Sequence, residues 1–288
     1  MRQAHARKMT ILIKELSVLV YMNTNVEKQL QEYSGRRHVL LTKRGNQSIL
    51  AALRFAKNQG ITTVYIPQSG GWMTYEPFVK RLKLQLQKIP TENEQILTEN
   101  LELQPNSAVL LHSLGGYHKT IDTQKIRELA DKSDALFIED VCGTFGSRNC
   151  FGHIVVGSFG NAKPINLGKG GFIATNDENA NLFFKKNFSN ELTEQDELDL
   201  FQKLNSATKR YSFLFRKRDE ILQKIPAQFK PICDENALVI IVPYKNDVDK
   251  NEIISFCDSQ NLEYTNCPRY IRHNKTAISI EIKRLNDE

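Results

Sequence analysis

The sequence has no CxxC pair and no even, regular set of cysteines. Its five cysteines are Cys142, Cys150, Cys233, Cys257 and Cys267, odd in number and irregularly spaced. Neither a zinc ribbon nor a disulfide framework is therefore expected, and reduced cytoplasmic thiols are the natural reading. A membrane span is also missing. The apolar stretch Met9 to Met22 is interrupted by Lys14 and Glu15, and no small-residue cleavage site follows it. It is too short and too charged for a span or a signal core, so a peripheral helix or a strand against a partner is expected there. Internal repeats and low-complexity tracts are absent. Charge of one sign is not concentrated either: 39 Lys and Arg against 33 Asp and Glu leave +6. That surplus is too mild to call for nucleic acid. Partners of neither nucleic-acid nor membrane type are expected.

What remains is an ordinary soluble globular balance, 40% hydrophobic and 25% charged over 288 residues. The length suits one large domain and a smaller one. Short apolar runs alternate with helical stretches from about residue 38 to 180. They are His38–Thr42, Thr62–Ile66, Ala108–His112, Ala135–Glu139, Ile154–Ser158 and Phe172–Thr175. This alternation predicts an α/β fold, a mostly parallel sheet with helices on both faces. Ser48–Lys57 reads as a helix, and Asp122 sits where an N-cap belongs before Thr123–Lys132. Charged helical sequence from Asp177 to about Ile225 suggests one or two long helices. A final strand, helix, strand, strand pattern uses Ala237–Pro243, Lys250–Gln260, Glu263–Asn266 and Ala277–Ile282. The expected division is an N-terminal arm (1–25), a large domain (26–180), connecting helices (181–227) and a small α/β domain (228–288).

Four segments carry chemistry. In "LTKRGNQSILAAL", Gly45 and Asn46 stand between a strand and a helix, where free N–H groups and the helix dipole favour phosphate. An ordinary capped helix start would look similar. In "YIPQSGGWMTY" the single tryptophan, Trp72, follows a strand end, placed to stack on a flat ring or simply to pack. In "ALFIEDVCGTFGS" an apolar strand ends in Glu139 and Asp140. Neighbouring strand residues face opposite sides, so only one acid enters a site at the strand end. A metal centre is not expected, because His153 is the only nearby ligand type and its position is unrelated. In "GHIVVGSFGNAKPINLGKGGFIAT", Ser158 closes a strand and Lys163 lies in a glycine-rich connection. A lysine on a cleft floor is desolvated, its pKa falls and its amine becomes nucleophilic; a solvated loop lysine is the plain alternative.

Taken together and in order, these segments resemble the sugar aminotransferases of the DegT/DnrJ/StrS group, within the fold-type-I pyridoxal-phosphate enzymes. "KRGNQSILAALRFA" is similar to that family's N-S-G-T-A-A-L-x-L-A-L. "GHIVVGSFGNAK" follows its G-D-I-x-x-F-S-F-x-x-x-K, with Lys163 eleven residues after Gly152, and Gly170, Gly171 and Thr175 follow its G-G-x-x-x-T. "LLHSLGG" places His112 where the family has a histidine. The resemblance spans roughly residues 26–180. It implies pyridoxal 5'-phosphate held as a Schiff base on Lys163, which later shuttles a proton. Asp140 would pair with the ring nitrogen. Ser158 and the Gly45–Asn46 amides would bind the phosphate, and Trp72 would stack on the ring. It further implies a keto-sugar nucleotide as substrate, glutamate or glutamine as amino donor, His112 near the substrate, and a homodimer.

Departures are specific. Asn46 replaces the family's usual Thr. Gly143 stands where a Gln often contacts the cofactor hydroxyl, so that contact is missing or comes from Thr144. The family's G-Y-N-x-R segment, which serves the neighbouring subunit's site, has no counterpart in "KNFSNELTEQDELDLFQKLN". Two other readings stay open. One is a pyridoxal-phosphate enzyme of another reaction type, a lyase, a dehydratase or a sulfur transferase using Cys257 or Cys267. The other is a non-catalytic or regulatory relative.

Overall fold

The computed structural model describes residues 26–99 and 101–286. The expected N-terminal arm, including Met9 to Met22, lies outside the described residues. Seven strands form the main sheet: β1 (His38–Thr42), β2 (Thr63–Pro67), β3 (Gln85–Ile89), β4 (Ser107–His112), β5 (Leu136–Asp140), β6 (Ile154–Ser158) and β7 (Gly171–Thr175). Their spatial order is β1-β7-β6-β5-β4-β2-β3. The run from β6 to β3 is parallel throughout. Only β7 reverses, pairing antiparallel with both β6 and β1. The expected α/β class, with a mostly parallel sheet covered on both faces, is what the chain adopts.

Side-chain alternation explains the two cores. Ile138, Ile154, Val156 and Ile173 pack on one face with Leu53 and Phe55 of helix α1 (Gly45–Asn58). Between them in sequence, Phe137, Val155 and Ala174 face the other way, into two further clusters. Such near-continuous apolar strands are what a sheet covered on both sides requires. Leu53 is fully buried, and burial of that kind is worth about 1.5–3 kcal/mol.

Two readings of the elements need correction. Strand β3 was not expected; it is an edge strand with only Ile89 buried, so it carries little apolar signal. The charged stretch after Asp177 holds three helices, not one or two: α4 (Glu178–Asn187), α5 (Glu194–Asn205) and α6 (Ala207–Leu222). A capping box at Thr193 and Asp196 starts α5. At Asp122 the side chain accepts the Lys125 N–H at 3.0 Å, the expected N-cap. The C-terminal portion is a three-stranded antiparallel sheet of β8 (Ile240–Pro243), β9 (Tyr264–Arg269) and β10 (His273–Ile280), with α7 (Asp247–Ser259) packed on it.

Candidate active site

Strands β4, β5 and β6 end level with one another. His112 pairs in register with Asp140, and Asp140 with Val156, so all three strands bring carboxyl ends to one edge. Open α/β sheets bind ligands at such edges. A small cleft lies there, lined by Gly45, Asn46, Ile49, Trp72, Asp140, Cys142, Ser158 and Lys163. Six of the eight residues singled out in the sequence thus meet at one place. The other two, His112 and Thr144, are buried but do not line it.

One end of the cleft is built by close approach. A Cβ on Gly45 would stand 2.5 Å from Ser158 Cβ and 3.3 Å from the Gly157 carbonyl oxygen. Only glycine lets the α1 start reach the end of β6. Arg44, at the N-cap, contributes no side-chain cap to the helix. The Gln47 and Ser48 N–H groups return to the Arg44 carbonyl oxygen at 2.9 and 3.3 Å, so the first amides, at Gly45 and Asn46, are what this helix start can offer an anion, with the Ser158 hydroxyl beside Gly45. Ser158 Oγ accepts the Gly160 N–H at 3.2 Å. Behind the turn, Thr42 Oγ1 and Ser48 Oγ lie 2.7 Å apart and tie β1 to α1.

The other end is framed by Trp72. Its Nε1 donates to Asn46 Oδ1 at 2.7 Å, which fixes the indole beside the helix start. Lys163 Nζ sits 4.4 Å from the indole centroid. Asp140 is buried, and its two oxygens divide the work of holding it. Oδ2 accepts from Tyr75 Oη at 2.8 Å, and Oδ1 accepts the Cys142 N–H at 3.0 Å. Burial, then the adjacent Asp140 charge, pushes the Tyr75 phenol well up, so it stays a donor. Glu139 faces away, as strand alternation demands. It accepts the Phe151 and Gly152 N–H groups at 2.6 and 2.7 Å and the Ser113 hydroxyl at 2.9 Å. Burial raises its pKa.

Lys163 is buried, and its Nζ donates to Tyr117 Oη. The expected fall in its pKa is corrected here. Burial does act against the ammonium, but Tyr117, Cys142 and Asp140 around it outweigh that, and the pKa is raised. Desolvation alone was visible from sequence; these neighbours were not. Thr144 does not line the cleft. It lies in the turn after β5, where its N–H returns to the Val141 carbonyl oxygen at 3.0 Å. A Cβ at Gly143 would meet His112 Cε1 at 2.9 Å and the Tyr117 ring at 3.2 Å, so these two rings take up that space. His112 stacks on Tyr117 with centroids 4.6 Å apart. Its Nδ1 accepts the Leu114 N–H at 3.0 Å, and its buried Nε2 has no hydrogen-bond partner. Burial lowers its pKa to about 4, so it is neutral near pH 7.

Sequence reasoning missed Tyr75, Tyr117 and Cys142. It also missed a group behind Tyr117. The Arg272 guanidinium lies 4.9 Å from that ring and Lys283 Nζ 5.2 Å. Glu281 accepts two bonds of 2.8 Å from Arg272 and lies 3.0 Å from Lys283. Burial lowers the Lys283 pKa to about 7. Two buried basic side chains thus share one carboxylate beside Tyr117, and Arg284 Nε lies 3.7 Å from it as well. Cys257 and Cys267 are buried, and burial pushes their thiols up to about 12 and about 11, which removes the exposed thiolate that sulfur transfer needs.

The chain is an open-edged α/β protein with a buried lysine and a buried acid at the carboxyl ends of its strands, and sequence comparison gives its family. The sequence profile of the DegT/DnrJ/EryC1/StrS aminotransferase family matches residues 17–186, and the chain belongs to that family. The lipopolysaccharide biosynthesis protein RfbH of Salmonella typhimurium is 28% identical over 172 residues, 53% of this chain and 39% of that protein. The matched region is therefore less than half of that curated relative. Among solved structures, the fold resembles Helicobacter pylori PseC, an aminotransferase involved in the biosynthesis of pseudoaminic acid, with a TM-score of 0.71 at 16% identity over 89% of this chain and 84% of that one. It also resembles the E. coli GDP-4-keto-6-deoxy-D-mannose-3-dehydratase with bound hydrated PLP, with a TM-score of 0.68 at 15% identity over 90% and 87% of the two chains. Among the described residues, no helix is long and apolar enough to cross a membrane.

Proposed function

We propose that this chain is a pyridoxal-phosphate-dependent aminotransferase acting on a keto-sugar nucleotide, with Lys163 as its catalytic residue. One observation carries the reading: Lys163, Asp140, Trp72, Ser158 and the uncapped start of α1 line one cleft. The residues present fit the cofactor. The Gly45–Ser158 approach brings the start of α1 against the Ser158 hydroxyl, so amide and hydroxyl donors stand together, which suits a phosphate. Trp72 offers a flat face, and Asp140 a buried carboxylate fixed by two donors. When bound, the cofactor supplies an electron sink for a carbanion.

The protein's own share is positioning and proton control. The α1 amides and Ser158 anchor the phosphate. Trp72, held by Asn46, sets the plane of the ring. Asp140 keeps a proton on the ring nitrogen, and Tyr75 and the Cys142 amide keep Asp140 in place. Lys163 Nζ, oriented by Tyr117, is the base and acid that moves a proton at the reacting carbon. The surplus positive charge of Arg272 and Lys283 over Glu281 favours an anionic amino donor, glutamate or glutamine. A cytoplasmic homodimer, as the family resemblance implies, completes the reading.

The test is direct. Purified protein loaded with pyridoxal phosphate should show a visible absorbance band that glutamate or glutamine bleaches. Borohydride treatment should fix the cofactor to the peptide containing Lys163. An unmodified Lys163 sinks the proposal. Elimination is the second reading, favoured by the likeness to a dehydratase. It predicts a deoxygenated product in place of an amino sugar. A non-catalytic relative would show no spectral response to the cofactor.

A further inference from the structure

Away from the cleft, three residues far apart in sequence meet in the interior. Glu94 comes from the turn of a hairpin between Thr91–Glu92 and Gln95–Ile96, His118 from the loop after β4, and His273 from the start of β10. All three are buried, and one ligand atom from each lies within 4.8 Å of the others. Glu94 Oε2 is 2.7 Å from His273 Nδ1 and 3.2 Å from His118 Nε2. Its other oxygen, Oε1, accepts from Ser69 Oγ at 3.0 Å and the Asn274 N–H at 3.1 Å, which aims Oε2 at the two imidazoles. His118 supplies the independent sign. Its side chain is completely buried; Nε2 faces Glu94 Oε2 at 3.2 Å outside good hydrogen-bond geometry, and Nδ1 has no partner at all. Leaving a buried polar nitrogen unmet in the interior costs about 1–3 kcal/mol. Gly116 makes this placement possible: at φ +58 its missing Cβ would stand 2.7 Å from His118 Cε1 and Nδ1.

We propose that Glu94, His118 and His273 bind a divalent transition-metal ion of the zinc type. Two imidazoles and one carboxylate are a borderline-soft set that suits zinc. Ligands of a tetrahedral zinc lie about 3.3 Å apart, so Glu94 and His118 already have that spacing and His273 must open by about half an ångström. Three protein ligands leave one position for water. The ion staples the hairpin, the 113–118 loop and β10 together. It thereby holds Tyr117 and Arg272, the immediate neighbours of His118 and His273, against Lys163.

The experiment uses the untagged full chain with its cofactor loaded. After zinc loading and dialysis, elemental analysis should find about one zinc per chain. A strong chelator should remove it, and added zinc should restore a melting temperature lowered by roughly 5 °C. His118→Asn should bind no zinc, and its melting temperature should not respond to the ion. Cobalt-loaded wild type should show the visible bands of a tetrahedral site, a readout that needs no variant. Substoichiometric zinc with no cobalt bands in wild type overturns the proposal, as does full zinc binding by folded His118→Asn.

Discussion

Replacing Gly45 with alanine tests the phosphate cradle at its tightest point. The new Cβ would lie 2.5 Å from Ser158 Cβ, more than an ångström inside ordinary contact, and 3.3 Å from the Gly157 carbonyl oxygen. Gly157 belongs to β6, flanked on both sides by paired strands, so its backbone cannot retreat. Overpacking of this kind costs about 1–3 kcal/mol, partly offset by the roughly 0.5–1 kcal/mol that alanine gains over glycine in a helix. The expected fall in stability of the cofactor-free protein is therefore about 0–2.5 kcal/mol. Cofactor affinity should suffer more. Moving the α1 start away from Ser158 breaks one or two charge-assisted contacts, each worth about 1.5–3 kcal/mol, or roughly 10- to 150-fold. Urea denaturation gives the first quantity and absorbance titration with pyridoxal phosphate the second. In the double variant with Ser158→Gly the clash is gone, so stability should recover while affinity stays low. Wild-type affinity in Gly45→Ala refutes the cradle. Affinity that recovers fully in the double variant refutes the role of Ser158.

Two further perturbations separate chemistry from folding. Asp140→Asn keeps the shape that meets Tyr75 and the Cys142 amide but removes the charge. Stability should change by less than about 2 kcal/mol while turnover of the loaded enzyme falls at least 10- to 150-fold; unchanged kcat would remove Asp140 from the chemistry. His112 predicts an acid-linked loss of stability. Its folded pKa of about 4 lies below the ordinary 6.5, so the stability it contributes is present above pH 6.5 and is lost as pH falls through 4. That loss amounts to about 2 kcal/mol at pH 5 and about 3 kcal/mol at pH 4. His112→Gln should flatten the pH dependence of urea unfolding by that amount, and identical slopes for both proteins would show that His112 is not held neutral by the fold.

The parts legible in sequence share a physical character. Strand β6 was legible because it lies inside the sheet and its apolar run is buried; β1 was legible although it is an edge strand, because Val39, Leu40 and Leu41 form an apolar run that packs on both faces. Strand β3 was not, because an edge strand need bury only Ile89. In the site, Gly45, Ser158 and Lys163 lie on turns whose glycine content betrays them. Tyr75 and Tyr117 do not betray themselves. Tyr75 matters only through Asp140, and Tyr117 only through Lys163, contacts that exist after the sheet has assembled. Their sequence neighbourhoods say nothing of those partners. The direction of the Lys163 pKa failed for the same reason.

Tyr117 is also where the C-terminal portion enters the chemistry. Its backbone carbonyl accepts the Leu238 N–H at 2.8 Å, ahead of β8, and its ring is flanked by Arg272 and Lys283. The C-terminal sheet therefore holds the residue that holds the lysine. This arrangement is buried and sets two basic side chains on one carboxylate, so it is costly unless every partner is in place. Lys283 expresses that cost in its lowered pKa of about 7. A ligand carboxylate reaching this corner would relieve the imbalance and pull the Lys283 pKa up, taking up a proton as it binds. The C-terminal sheet thus supplies a frame that orients Lys163 from behind and sets basic side chains beside it, features that suit the acidic amino donor proposed above.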